Sequence, residues 1–258
     1  MKITALLENT TTRLDLSAEH GLSLYIETAG HKILFDMGQT DLFSRNAAVL
    51  DIDLAAVDIA VLSHGHYDHG GGLARFLSLN HTAPVYVNRH AFEPHYHDTT
   101  KYIGLDTTLA RHEQLLFTED TAVLADGITL HSCKHAQKHH DLGAFGLTIL
   151  ENGVFRPEDF RHEQYLLVEE NRRKILFSGC SHRGILDIVS WFQPDILIGG
   201  FHFSKLPLDD TLRSYAKYLD GFPTEYYTCH CTGEAQFSFM KSHIKNLHRL
   251  SCGDVIEV

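Results

Sequence analysis

The chain has 258 residues and is acidic, because 22 Lys and Arg stand against 33 Asp and Glu and leave a formal charge of −11. This charge disfavours a general nucleic-acid-binding protein, which needs a positive field to attract phosphates. The hydrophobic fraction of 43% is that of a globular protein, and no apolar run approaches the roughly 18 to 20 residues of a membrane-spanning helix. The length suits one large domain or two small ones. The 20 histidines are the unusual feature of this composition.

The cysteines and the first residues indicate a cellular compartment. The count of five is odd and the spacing is sparse, which favours reduced thiols or metal ligands over a disulfide framework. The amino-terminal stretch MKITALLENTTTRLDL has no apolar core behind a basic start, so we predict no signal peptide and a cytoplasmic location.

The first half of the chain predicts short strands and one helix. Residues 22–27 and 32–35 flank a turn and are typical of a hairpin. Residues 59–62 form an apolar strand that ends at a polar loop. Residues 71–79 carry apolar side chains at helical spacing, and residues 85–87 form the next strand.

The second half repeats this order. A hairpin, two strands and two helices are predicted at residues 165–169, 174–177, 185–192, 196–198, 209–219 and 226–228. Strands that alternate with helices indicate an α/β architecture. We therefore expect one domain over residues 1–258 with two related halves. The less regular, histidine-rich residues 99–161 are interpreted as a lid, an inserted subdomain or a solvated surface excursion.

Residues 63–72, SHGHYDHGGG, are the most informative segment. They place His64, His66, Asp68 and His69 directly after an apolar strand, where binding groups are commonly presented in α/β sheets. Neutral imidazole and carboxylate are zinc and iron ligands. Four such side chains crowd a single tetrahedral ion, so we expect His64 and His66 on one ion and Asp68 and His69 on a second. The glycines allow close approach of the backbone.

This motif resembles the signature of the metallo-β-lactamase superfamily, whose members are mostly dinuclear metal hydrolases. The resemblance implies an αββα sandwich, in which two mixed β-sheets pack face to face with helices on the outside. It also implies two divalent metal ions, which we predict to be zinc, with iron or manganese as alternatives. The motif is specific for the fold and much less so for the substrate.

The resemblance extends to two further strand ends. In ILFDMG, Asp36 matches a residue that lies under the metal loop and orients its ligands; a turn-capping Asp is the alternative. In KILFSGC, Cys180 stands where the superfamily usually has a carboxylate that bridges the two metals. A thiolate is a softer metal ligand, and a small buried thiol is the alternative.

The remaining ligands are predicted from the last third of the chain. His230, in YYTCHCTG, would complete the second metal site. Strand alternation would point Cys229 and Cys231 away from it, so we interpret both as packing thiols, with a structural Cys-x-Cys metal site as the alternative. For the third ligand of the first metal we favour His182. The other candidates are treated as lid residues, namely His135, His139, His140 and His162.

Two more histidines are assigned near the substrate. His202 follows Gly199-Gly200 and could donate a proton to a leaving group, although a surface histidine explains it equally well. Residues 19–23, 179–185, 199–202 and 230–233 together resemble one branch, the metal-dependent hydrolases described as dihydropterin ribofuranosyl-aminobenzene phosphate synthase-like. That resemblance implies that His20 lies near the site.

These observations predict a metal-dependent hydrolase. Two divalent ions that share a water lower its pKa from about 15.7 towards 7 and supply hydroxide, while Asp68 holds one ion and accepts a hydrogen bond from the nucleophile. The substrate is expected to be a small, anionic metabolite, because bound cations offset the acidic chain locally. The alternatives are a pterin-coupling synthase and a non-catalytic metal-dependent sensor or binding protein. Neither nucleic acid nor a membrane is expected as a partner.

Overall fold

The computed structural model describes all 258 residues, which form eighteen strands and six α-helices. The strands are β1 Lys2–Leu7, β2 Ser23–Glu27, β3 Lys32–Phe35, β4 Ile59–Val61, β5 Val85–Asn88, β6 His95–His97, β7 Lys101–Tyr102, β8 Leu115–Thr118, β9 Thr121–Ala125, β10 Ile128–His131, β11 Leu147–Glu151, β12 Val154–Pro157, β13 Tyr165–Glu170, β14 Arg173–Ser178, β15 Ile196–Gly199, β16 Glu225–Thr228, β17 Leu247–Arg249 and β18 Val255–Glu257. The helices are α1 Leu42–Val49, α2 Tyr67–Gly70, α3 Leu73–Leu79, α4 Ile185–Phe192, α5 Asp210–Asp220 and α6 Glu234–Lys241. Three short 3-10 helices complete the chain, at Leu54–Ala56, Thr107–Arg111 and His230–Thr232.

Two seven-stranded mixed sheets form the body of the molecule. The first has the order β18-β1-β2-β3-β4-β5-β8, and the second has the order β17-β16-β15-β14-β13-β10-β9. In each sheet an antiparallel half joins a parallel half, the parallel pairs running from β3 to β8 and from β14 to β17. The two halves of the chain therefore build similar sheets.

The sheets pack face to face, as the sequence predicted. Phe35 of the first sheet and Phe177 of the second lie in one buried cluster, with ring centroids 5.9 Å apart. Side chains alternate along each strand, so Leu34 points to the opposite face and packs with Phe43 of α1 in a second cluster. Helices α4, α5 and α6 cover the outer face of the second sheet in a third cluster. The predicted αββα sandwich is confirmed.

The helices follow the predicted positions with small differences. Helix α4 has the predicted bounds, and α5 begins one residue late because the Asp209 carboxylate accepts hydrogen bonds from the backbone N–H groups of Thr211 and Leu212 as its cap. The helix predicted at residues 71–79 is α3, which begins two residues late, and the short α2 before it was not predicted. A Cβ at Gly71 or Gly72 would overlap backbone carbonyl oxygens of the neighbouring loop, so both positions need glycine.

Residues 99–161 do not form one lid. Strand β8 is an edge of the first sheet, and β9 and β10 belong to the second. Only β7, β11 and β12 join β6 in a separate four-stranded antiparallel sheet, with the order β12-β11-β6-β7. None of the helices has the length and hydrophobicity that crossing a bilayer requires.

Candidate metal centre

Four loops that follow parallel strands meet at one edge of the sandwich. His64 comes after β4, Cys180 after β14, His202 after β15 and His230 after β16. The carboxyl ends of parallel strands lie at the same edge of a sheet, which is where α/β proteins commonly place binding groups. The topology therefore brings together residues that are up to 166 positions apart, from His64 to His230.

Three groups of ligand-type side chains converge there. Within each group, one possible ligand atom from every residue lies within 4.8 Å of the others. The groups are His64, His66 and His182; His64, His69 and Cys180; and His20, Asp68 and His230. All seven metal ligands predicted from the sequence are among them. The exposed His20 joins them through a 3.1 Å contact between its Nε2 and Asp68 Oδ2.

The individual distances are short. His69 Nε2 lies 3.1 Å from Cys180 Sγ and 3.2 Å from His230 Nε2. His64 Nε2 and His182 Nε2 are 3.3 Å apart, as are His230 Nε2 and Asp68 Oδ2. These imidazole nitrogens face one another, and few hydrogen-bond acceptors lie between them. Cations bound among the nitrogens would accept their lone pairs. The donor set of imidazole, carboxylate and thiolate fits divalent metal ions.

Three of the histidines are held from behind through Nδ1. The partners are Ser63 Oγ for His64 at 2.8 Å, Asp36 Oδ2 for His69 at 2.6 Å and Asn9 Oδ1 for His230 at 2.8 Å. Each bond leaves the Nε2 atom directed at the centre. Asp36 also accepts hydrogen bonds from the backbone and hydroxyl of Ser63, both at 2.7 Å, so it lies beneath the metal loop as the resemblance implied.

Two buried carboxylates near the centre were missed by the sequence reasoning. Glu8 Oε1 accepts a 2.6 Å hydrogen bond from the backbone of His230, and Glu163 Oε1 accepts one of 2.7 Å from the backbone of His182. Glu8 directly follows the apolar run of β1, and Glu163 lies two residues before β13 begins. An acidic residue at the end of a buried strand is the signal that could have identified them.

The structure corrects the interpretation of Cys231. It is not a thiol that points away from the centre; it forms a group with Cys180 and His202, and its Sγ lies 3.4 Å from the carbonyl oxygen of Cys180. Strand alternation fails here because the chain enters a 3-10 turn at His230, which has a φ of 50°. Cys229 does pack in the core between the sheets.

The four histidines interpreted as lid residues differ from one another in burial and in contacts. His162 is not a lid residue, because it is completely buried behind the metal loop and its Nδ1 accepts a 2.8 Å hydrogen bond from the backbone of Gly65. The backbones of His139 and His140 instead donate to the Asp187 carboxylate of α4. His135 is exposed. His182 is the candidate that joins His64 and His66.

Burial and charge set the protonation of the centre. Burial holds the pKa values of His64, His66 and His182 well below the ordinary histidine value. Burial also opposes ionisation of Asp68, but hydrogen bonds from His20 and His230 outweigh it and hold the pKa of this carboxyl well below its usual range. Burial raises the pKa of the Cys180 thiol in the metal-free protein.

A cavity of about 380 Å³ opens onto these side chains. Its floor includes Asp68, Cys180 and His230, and its outer wall includes Lys101 and Lys205. The four-stranded sheet contributes to the wall through residues of β6, β7 and β11. This volume suits a small molecule.

His202 also lines the cavity. Its ring centroid lies 4.2 Å from that of His182, and its Nδ1 is buried without a hydrogen-bond partner. His202 therefore lies beside the ligand groups, and its role near a substrate stays a prediction.

Known proteins are similar to this chain in sequence and in fold. The chain is 28% identical over 266 residues to 7,8-dihydropterin-6-methyl-4-(beta-D-ribofuranosyl)-aminobenzene-5'-phosphate synthase of Methanocaldococcus jannaschii, covering 93% of this chain and 90% of that protein. It is 27% identical over 240 residues to the uncharacterized protein MJ0448 of the same organism, covering 90% of each. The crystal structure of Tm1679, a metal-dependent hydrolase of the beta-lactamase superfamily, matches all of this chain and 99% of its own, with 28% identity and a TM-score of 0.85.

The sequence pattern of the metallo-beta-lactamase superfamily matches residues 17–148, which include the whole His64-to-His69 motif. The sandwich of two mixed sheets and the ligand groups at their shared edge agree with that match. The chain belongs to the metallo-beta-lactamase superfamily.

Proposed function

We propose that this protein is a metal-dependent hydrolase that acts on a small, anionic metabolite. The observation that carries the proposal is the convergence of three ligand groups on the floor of one cavity. Members of this superfamily usually bind divalent metals. Structural sites close around their ion, whereas this arrangement leaves one side open to a substrate.

The ligand groups suit two ions. His64, His66 and His182 would hold the first, and Asp68, His69 and His230 would hold the second. Cys180 shares a group with both His64 and His69, so its thiolate would stand between the two sites. We propose zinc because thiolate and imidazole together favour it over manganese. Bound divalent ions supply a Lewis acid and an acidified water at neutral pH.

The protein side chains supply orientation and proton transfer. Asp68 would stay ionised beside a bound cation, with His20 Nε2 at 3.1 Å from its Oδ2, so it can accept a hydrogen bond from the attacking water. His202 lines the cavity beside the ligand groups, which suits donation of a proton to the leaving group.

The charge around the cavity supports an anionic substrate. Lys101 and Lys205 lie in its outer wall, and Lys205 Nζ is fixed by a 2.9 Å hydrogen bond to the carbonyl oxygen of Phe145. Bound cations would add positive charge at the floor. Lys101 and Lys205, together with bound cations, would attract an anion into the cavity.

The test is metal analysis of the purified protein, followed by hydrolysis assays with phosphoesters and lactones. We expect bound zinc, and we expect His66→Ala to lose metal and activity together. His81→Ala, which changes an exposed histidine that belongs to none of the ligand groups, is the matched control. Protein that contains no zinc, iron or manganese would overturn the proposal, and metal-loaded protein that turns over none of the panel would favour a sensor.

The named synthase relative supports a second candidate, a pterin-coupling reaction at the same centre. In that reaction an arylamine, rather than water, would displace the leaving group of a pterin pyrophosphate. Incubating metal-loaded protein with a pterin pyrophosphate, with and without an arylamine, separates the two functions. A coupled product that forms only with the amine would favour synthesis, and release of the leaving group by water alone would favour hydrolysis.

A further inference from the structure

A second cluster of titratable side chains lies behind His66, on the side away from the cavity. It consists of His95, Glu158 and His162, whose side chains are completely buried. One polar atom from each, together with one from His66, falls within 4.8 Å of all the others. His66 Nε2, Glu158 Oε1 and His162 Nε2 are buried and have no hydrogen-bond partner.

The hydrogen bonds around this cluster locate its protons. His162 Nδ1 accepts from the backbone of Gly65, so the proton of a neutral His162 is on Nε2, which lies 3.7 Å from Glu158 Oε1. His95 Nε2 lies 3.3 Å from the carbonyl oxygen of His90, and its Nδ1 lies 2.8 Å from Glu158 Oε2. Both nitrogens of His95 lie beside oxygen atoms, so the ring is held between the Glu158 carboxylate and the carbonyl oxygen of His90.

This proton arrangement argues against a further metal ion in the cluster. A cation bound to His162 Nε2 would need that atom's lone pair while Nδ1 is already an acceptor. The ring would then have to lose both protons and become an imidazolate. A network of N–H donors around one carboxylate needs no such step, and Glu158 Oε1 is the acceptor that is left open.

His66 is held differently from the other ligand histidines. His64, His69 and His230 are each held through Nδ1 and direct Nε2 at the centre. In His66 it is Nε2 that is buried without a partner, and one ring nitrogen lies within 4.8 Å of a Glu158 oxygen, so we assign Nδ1 to the cavity side. A histidine that binds a metal almost always donates its other N–H to an acceptor behind it.

We propose that Glu158 is a positioning residue for the first metal site. With an ion on Nδ1 of His66, Glu158 Oε1 would accept the Nε2–H of that ring, while His95 and His162 lie on the other sides of the carboxylate. The ring of His66 is thereby held in the tautomer that presents Nδ1 to the ion. This inference rests on the proposed metal centre and adds a residue that touches neither substrate nor metal.

The first test is stepwise zinc titration of the full chain against a competing chelator. Glu158→Gln places an amide NH₂ where an acceptor is needed, so we expect the affinity for one of two ions to fall by about 10- to 100-fold. Asp36→Asn should instead weaken the ion bound by His69, and the exposed Glu119→Gln should change neither affinity. The inference would be overturned if Glu158→Gln bound both zinc ions with unchanged affinity. It would also be overturned if the unaltered protein bound a third zinc ion that Glu158→Gln does not bind.

The second test needs no variant, so it holds even if Glu158→Gln folds poorly. Nitrogen-15 NMR of histidine-labelled, zinc-loaded protein should show His66 bound through Nδ1 with a proton on Nε2. Zinc on Nε2, or wild-type protein that binds no metal, would overturn the inference. Protein that passes both tests but hydrolyses none of the substrate panel would overturn the proposed activity alone.

Discussion

The Asp36 carboxylate lies 2.6 Å from Nδ1 of His69, and both side chains are completely inaccessible to solvent. Burial alone would lower the pKa of His69, but the charge and hydrogen bond of Asp36 outweigh it and raise the pKa to about 9. His69 of the metal-free protein is therefore a cation at neutral pH. A metal ion that binds its Nε2 must displace a proton first.

This ion pair predicts a loss of stability at alkaline pH in the metal-free protein. Because the pKa of His69 is raised on folding, its contribution is fully present below the unfolded value of about 6.5 and is lost as the pH rises towards 9. Urea unfolding at pH 6.5 and pH 9 should show this decline in the free energy of unfolding. Asp36→Asn should reduce the difference between the two pH values, and an equal decline in both proteins would contradict the prediction.

Acid should destabilise the metal-free protein for the opposite reason. Burial lowers the pKa values of His64, His66, His162 and His182, so they stay neutral in the fold while the unfolded chain binds protons below about pH 6.5. Each can remove up to about 1.4 kcal/mol of stability per pH unit as the pH falls. Urea unfolding in 0.5-unit steps from pH 7 to pH 5 measures the slope. A free energy of unfolding that does not change over this range would contradict the assignment.

Gly65→Ala should disrupt the metal loop. A Cβ at this position would overlap the carbonyl oxygen of Ala91 and lie 2.7 Å from its carbonyl carbon, so the backbone must move. We expect a cost of about 1–3 kcal/mol in the free energy of unfolding together with weaker metal binding. Gly30→Ala is the matched control, because a Cβ there meets no atom within 4 Å. Equal unfolding and metal content in the two variants would show that the contact is not restrictive.

Cys180 should be visible as a metal ligand in cobalt-substituted protein. Its Sγ lies 3.1 Å from His69 Nε2, so a bound Co²⁺ should show thiolate-to-metal charge-transfer absorption. Cys180→Ser should remove most of that band. Cys229→Ser should leave it intact, because Cys229 packs in the core between the sheets. A band that persists in Cys180→Ser would assign the thiolate to another residue, and Cys231 is the nearest candidate.

The metal motif and the larger elements were predictable from the sequence, because the residue pattern that specifies each of them lies within a short stretch of the chain. Four ligand-type side chains within six residues identify the loop at His64 to His69. The apolar periodicity of α4 gives its bounds because the whole pattern lies inside one element. Local patterns also indicated that the two halves of the chain are alike. The two sheets agree with this, because each joins an antiparallel half to a parallel half.

The supporting residues were not predictable because they act across long sequence separations. Asn9 holds His230, and Glu163 holds the backbone of His182, yet neither residue belongs to a motif. Cys231 was wrongly oriented because the positive φ of His230 interrupts strand alternation. The hydrogen-bond partner of a buried polar group depends on the assembled topology. The local sequence does not contain that information.

The hydrogen bonds that Glu8 and Asn9 accept from His230 also bear on how the protein matures. These partners are separated by 222 and 221 positions, so residues from near the two ends of the chain meet at one ligand. Contacts of such long range close late in folding, because the loop entropy must be lost first. A chain still emerging from the ribosome therefore contains the His64-to-His69 loop before His230 and its hydrogen-bond partners can complete the second metal site. Stable metal loading should be an event of the finished polypeptide.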